Sequence, residues 1–83
     1  MKLIYFAWVR EKVGTAREEL APPADVANVG QLIRWLAAQG DNYAAAFDDV
    51  SRVRVAVNQD YATMDQPVGP DDEIAFFPPV TGG

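Results

Sequence analysis

The 83-residue chain contains no cysteine and no histidine. Without thiols it has neither a disulfide framework nor a thiolate metal site to support a small core, so helices and sheet must supply the stability. The double absence also removes the commonest nucleophile, the commonest general base and the commonest transition-metal ligands, which disfavours a hydrolase working alone. Basic residues are scarce and scattered, seven Lys and Arg against twelve Asp and Glu for a formal charge of −5. Phosphate binding needs clustered cations, so nucleic acid is not an expected partner. The apolar start, Met1 to Val9, is far too short to span a bilayer and lacks a small-residue cleavage site; a membrane is not expected and the chain is read as cytoplasmic. Neither phosphate-cradling glycine motif is present.

What is there suits one small globular domain, 49 % apolar and 23 % charged, with a packed core rather than disorder. Lys2 to Val9, rich in aromatic and β-branched residues, reads as a strand apolar on both faces, followed by a polar break at Arg10–Gly14 with room for one helical turn. Thr15 to Leu20 reads as a second strand, ended by Pro22 and Pro23. Val29, Leu32, Ile33 and Leu36 fall on one helical stripe, giving a helix from about Val29 to Gln39. Asn28 is placed as its N-cap, Gln31 as the reciprocal capping partner and Gly40 as a left-handed C-terminal stop. Asp41 to Val50 suits a shorter helical segment with Tyr43 and Phe47 in contact. Val53 to Val57 alternates as a strand with valines inward, Asn58-Gln59-Asp60 is a turn, Tyr61 to Met64 a short strand and Glu73 to Phe77 the last one. The order predicts an α+β domain over residues 1–77, one sheet with a main helix across one face, and an extended tail over residues 78–83.

That tail is the candidate site. Pro78 and Pro79 hold φ near −65° and push the preceding residues extended, so the chain leaves the sheet straight. Six residues at about 3.3 Å each reach roughly 20 Å, enough to enter another protein's active site. Gly82 and Gly83 carry no side chain, so they fit a narrow channel and let a reactive group approach the terminal carboxylate. A terminal Gly-Gly is by itself an ordinary frayed end in most proteins. Its attachment to a stiff Phe-Pro-Pro exit, on a domain lacking catalytic side chains, marks it as a substrate arm. A carboxylate is a poor electrophile, so chemistry on it needs activation, most naturally on the α-phosphate of ATP, in a site belonging to a partner.

Phe76-Phe77-Pro78-Pro79-Val80-Thr81-Gly82-Gly83 resembles the C-terminal signature of the small-subunit family of molybdopterin synthase. Leu3 to Glu11, the Asn28-capped helix, Ala56-Val57-Asn58-Gln59 and Gly69 to Ala75 resemble it as well, so the likeness covers nearly the whole chain. The resemblance implies a ubiquitin-like β-grasp fold and a sulfur carrier. An adenylating enzyme would activate Gly83 with ATP, a sulfur donor protein would convert it to a thiocarboxylate, and the tail would enter the large synthase subunit to deliver sulfur to precursor Z, a cyclic pyranopterin monophosphate. Gly83 would be the reacting residue and Gly82 its steric partner; Pro78, Pro79, Val80 and Thr81 would lie against the partner. The catalytic pocket would belong to the large subunit, in a heterotetramer with two copies of each. The chain itself would bind no cofactor and no metal.

One helix covers one sheet face, so apolar surface should remain on the other. Phe6, Tyr61 and Phe77 are expected to form an exposed patch for the large subunit, against the plainer reading that they are core or isolated surface rings. Asp48-Asp49 and Asp71-Asp72-Glu73 are read as solvated turns rather than metal or acid/base sites. Arg10 and Lys12 are read as a solvated bend, and Trp8 and Trp35 as packing residues. The other open readings are a sulfur carrier for thiazole or cysteine synthesis, a protein modifier joined to lysines, and a β-grasp interaction module with an inert terminus.

Overall fold

A computed structural model describes residues 1–79. Five strands form one sheet: β1 (Lys2–Tyr5), β2 (Arg17–Glu19), β3 (Arg54–Val57), β4 (Asp60–Ala62) and β5 (Glu73–Phe77). Their order is β2-β1-β5-β3-β4, with β1 and β5 parallel and the other three pairings antiparallel. Helices α1 (Ala7–Val13), α2 (Val29–Ala37) and α3 (Asp41–Ala46) bury residues in a single core with one face of this sheet. This is the expected mixed-sheet β-grasp arrangement, with three helices rather than one main helix contributing to the core.

The strand expected over Lys2 to Val9 stops at Tyr5, and Ala7–Val13 is helical. Alternation in a segment apolar on both faces fits either element. The polar run Arg10-Glu11-Lys12 decides it: as a helix, Val9 and Val13 stack at i, i+4 in the core while the charges face water. Ala7, at φ 52°, turns the chain sharply from strand to helix. Gly14, at φ 96°, ends the helix by donating its N–H to Arg10 O at 2.8 Å, a geometry that glycine adopts without steric cost.

Helix α2 forms where its buried stripe of Val29, Leu32, Ile33 and Leu36 requires it. Asn28 Oδ1 accepts from the Gln31 N–H at 2.8 Å, as expected, while Gln31 Oε1 reaches one residue further back and accepts from the Ala27 N–H at 2.7 Å. Two more N–H groups of its first turn, those of Val29 and Gly30, donate to the carbonyls of Gln66 and Met64. Gly40 does not end this helix: α2 closes at Ala38 in a right-handed conformation, and Gly40, extended at φ 169°, precedes α3 instead. The sharp change of direction between two short helices needs an extended residue there, not a left-handed one.

Asn58 and Gln59 take φ of 50° and 73°, the pair of left-handed residues that a tight hairpin between twisted strands demands. Asn58 is fastened on three sides: its N–H donates to Glu73 O, its Oδ1 accepts from the Glu73 N–H, and its Nδ2 donates to Asp72 Oδ1, all within 3.0 Å. The β3–β4 hairpin is thereby tied to the start of β5. Leu3, Tyr5, Val55, Val57, Ile74 and Phe76 point inward and are buried.

Candidate functional site

Strand alternation assigns the opposite face of the sheet. Lys2 and Ile4 of β1, Glu73, Ala75 and Phe77 of β5, Arg54 and Ala56 of β3 and Tyr61 of β4 lie on it, outside the helix-covered core. Register lines up Arg17, Ile4, Ala75, Ala56 and Tyr61 in one row across all five strands. A shallow cleft of about 260 Å³ opens beside β2, lined in part by Lys2, Ile4, Arg17 and Glu73. No helix lies over this face among the described residues.

The three aromatic residues expected in the patch sit here. Tyr61 is 83 % exposed and Phe6 49 %, and Phe77 is half-buried. The rings of Tyr61 and Phe77 meet at 5.8 Å between centroids, tilted by 39°. Phe6 continues the β1 direction for one residue, its N–H donating to Phe76 O at 3.0 Å, which places it beside Phe77 at the end of the sheet from which the tail departs. Pro78 and Pro79 follow directly and are half-buried. Val80, Thr81, Gly82 and Gly83 lie outside the described residues.

Sequence reasoning missed the floor of this patch, namely Ile4, Ala56 and Ala75, together with the arginines at its margins. The signal for them was the phase of alternation: once Leu3, Ile74 and Val55 are assigned inward, their neighbours follow. Trp8 leaves the face entirely, because α1 carries it round to pack against the core, where the Arg52 guanidinium lies 5.3 Å from its ring centroid. Trp35 also packs against the core.

Polar side chains elsewhere hold the scaffold. Glu18 Oε2 accepts from the Tyr5 hydroxyl at 2.8 Å and the Tyr43 hydroxyl at 2.7 Å, clamping edge strand β2 to α3. Burial, then the bond to Glu18, pushes the Tyr43 hydroxyl up to about 12 and raises that of the more deeply buried Tyr5 too. Asp49 accepts from the Ser51 hydroxyl and N–H at the start of a 3₁₀ turn over Val50–Arg52, and these bonds hold its carboxyl below the usual range. Asp72 accepts from the Gly69 N–H and from Asn58. The acidic clusters thus organise turns. Among the described residues no group of three or more acidic side chains is placed to hold a metal ion, and no helix is long and apolar enough to cross a membrane.

The sequence profile of the ThiS family fits residues 3–83. The chain belongs to the ThiS family. Within reach of this ThiS-family chain are relatives named molybdopterin synthase sulfur carrier subunit. That of Escherichia coli (strain K12) is 47 % identical over the whole of this chain and 99 % of its own. The Mycobacterium tuberculosis protein of that name is 34 % identical over 100 % of this chain and 96 % of its own. Among solved structures, the HVO 2177 protein of Haloferax volcanii covers 99 % of the ThiS-family chain and 84 % of its own, with a TM-score of 0.74 and 30 % identity. Small archaeal modifier protein 1 of H. volcanii, at 22 % identity, covers 96 % of this chain and 97 % of its own with a TM-score of 0.61, a likeness of fold alone.

Proposed function

We infer that this chain is the sulfur-carrier small subunit of molybdopterin synthase, acting in molybdenum cofactor biosynthesis. The observation that carries this reading is the end-to-end likeness to sulfur carrier subunits of that enzyme, 47 % identity in one case. The geometry supports it: an uncovered aromatic patch of Phe6, Tyr61 and Phe77 adjoins the Pro78-Pro79 exit, so a partner seated on the patch stands where the tail leaves the domain.

In the proposed cycle the Gly83 carboxylate attacks the α-phosphate of ATP in an adenylating partner, giving an acyl-adenylate and releasing pyrophosphate. Hydrosulfide delivered by a donor protein attacks the acyl carbon, the C–S bond forming as the C–O bond to AMP breaks, and the terminus is left as a thiocarboxylate. Bound to the large subunit, the thiocarboxylate sulfur attacks precursor Z, water then cleaves the acyl–sulfur bond so that the sulfur stays on the pterin precursor, and Gly83 returns to a carboxylate. The β-grasp domain contributes no acid or base; it docks, and the partner's pocket performs the chemistry. The cytoplasm is the proposed site of action, and a heterotetramer with two large subunits the working assembly.

Intact mass spectrometry after incubation with ATP, the adenylating partner and a sulfur donor tests this. One oxygen-to-sulfur exchange at Gly83 is expected, abolished by deleting Gly82 and Gly83. An unchanged mass would leave a docking module with an inert terminus. A thiocarboxylate that the large synthase subunit cannot discharge onto precursor Z would point instead to a carrier for thiazole or cysteine synthesis.

A further inference from the structure

The outer face carries charge as well as apolar surface, and strand register sorts that charge into rows. At the end away from the tail, Glu19, Lys2 and Glu73 stand side by side on neighbouring strands. The lysine has a carboxylate on each flank, so this row is net negative, two acids to one base. Nearer the tail the pattern changes. The row of Arg17, Ile4, Ala75, Ala56 and Tyr61, and the pair Phe77 and Arg54 beyond it, hold two exposed arginines and no acid. Arg54 makes one long hydrogen bond, 3.4 Å to the Ser51 carbonyl. Lys2, Arg17 and Arg54 against Glu19 and Glu73 make this face net positive, in a chain whose formal charge is −5.

The two arginines lie three strands apart, roughly 16 Å between backbones from the usual strand spacing and rise. They bracket the floor of the aromatic patch. In water an exposed guanidinium needs no partner. Under a docked protein it does, because a charge withdrawn from solvent without a counter-charge opposes association.

We propose that the partner surface seated on this face carries carboxylates opposite Arg17 and Arg54, and that these two contacts fix the direction in which it docks. This rests on the docking role given above. Apolar contact is non-directional and would hold the partner in several orientations. Two cations near the tail end and a net-negative row at the other end favour the one orientation that brings an acidic margin to the tail exit. The remaining surface is strongly acidic and repels that margin, which further penalises misplaced encounters.

The test is the association rate with the recombinant large subunit of molybdopterin synthase from the same organism, measured by stopped-flow at about 50 mM and about 500 mM salt. Reversing both charges, Arg17→Glu with Arg54→Glu, is expected to slow association about tenfold or more at low salt, with the gap closing to about twofold at high salt. Arg34→Glu, on α2 at the covered side, should stay within about twofold of the parent throughout. Unchanged or faster association of the double variant overturns the charge assignment. The docking role is read separately: unaltered affinity of Phe77→Asp would remove that role, whatever the arginines do. Thermal unfolding checks the double variant's fold, and Arg17→Gln with Arg54→Gln repeats the measurement with milder changes should reversal unfold it.

Discussion

The two faces of the sheet are built from the same strands and the same alternation, yet they end differently. Inward, Leu3, Tyr5, Ile74 and Phe76 are at most 1 % exposed, and Phe76 is held between the Tyr5 ring, stacked at 5.8 Å, and the Phe47 ring, edge-on at 5.1 Å. Outward, one residue along, Phe77 is only half-buried, and its ring meets that of an 83 % exposed Tyr61. Phe76 and Phe77 are identical in chemistry and adjacent in sequence; what separates them is whether this chain supplies the cover. A domain of this size has helices enough for one face, and apolar residues on the second face mark the place where another protein supplies the rest.

Adjacent phenylalanines provide the sharpest test. Phe76→Ala removes a fully buried ring and two aromatic contacts, a loss of about 3 to 5 kcal/mol, a large part of what so small a domain possesses. Urea or thermal denaturation reads it, and a loss below about 1 kcal/mol would erase the distinction between the faces. Phe77→Asp should do the reverse, leaving unfolding within about 1 kcal/mol of the parent while weakening the complex with the large subunit by about 100-fold or more in calorimetric titration.

Smaller effects probe how the covered face is fastened at its edges. Glu18→Gln exchanges a carboxylate that accepts from two tyrosines for a neutral amide, with an expected cost of about 1 to 2 kcal/mol. The same clamp predicts a pH dependence. The folded state raises both tyrosine hydroxyls and so holds their protons more tightly than the unfolded chain does. Its stabilising effect is complete below the ordinary tyrosine value of 10.0 and, for Tyr43, is lost as pH rises toward about 12. Thermal midpoints should fall across that window, less steeply in Glu18→Gln. Asn28→Ala, which removes the α2 cap, should cost about 1 kcal/mol by the same measurement, without altering docking.

Much of this contrast was legible in the sequence. Alternation in Val53–Val57 and Glu73–Phe77 assigns inner and outer residues directly, and the stripe from Val29 to Leu36 with its Asn28 cap fixes the principal helix. Phe6 and Tyr61 stood out as rings that one helix could not cover. The errors arose where local pattern was ambiguous and tertiary packing decided. Leu3 to Val9 is apolar on both faces, so its period could not show that the strand hands over to α1 after Phe6. Gly40 is as suited to an extended link as to a left-handed stop, and the turn into α3 selects the former. Arg17 and Arg54 carry no motif; only the pairing of β2 with β1 and of β3 with β5 brings them onto one surface.

The position of β5 has a consequence for timing. It is the last of the described strands, yet it lies in the middle of the sheet, parallel to β1 and antiparallel to β3. Until it inserts, the β1–β2 pair and the β3–β4 hairpin share no strand pairing, and the outer face lacks Ala75 and Phe77. Contacts so distant in sequence form late in folding. The strand that presents the tail is therefore the one that completes the sheet, and a partner that reads the face and the tail together discriminates finished molecules from unfinished ones.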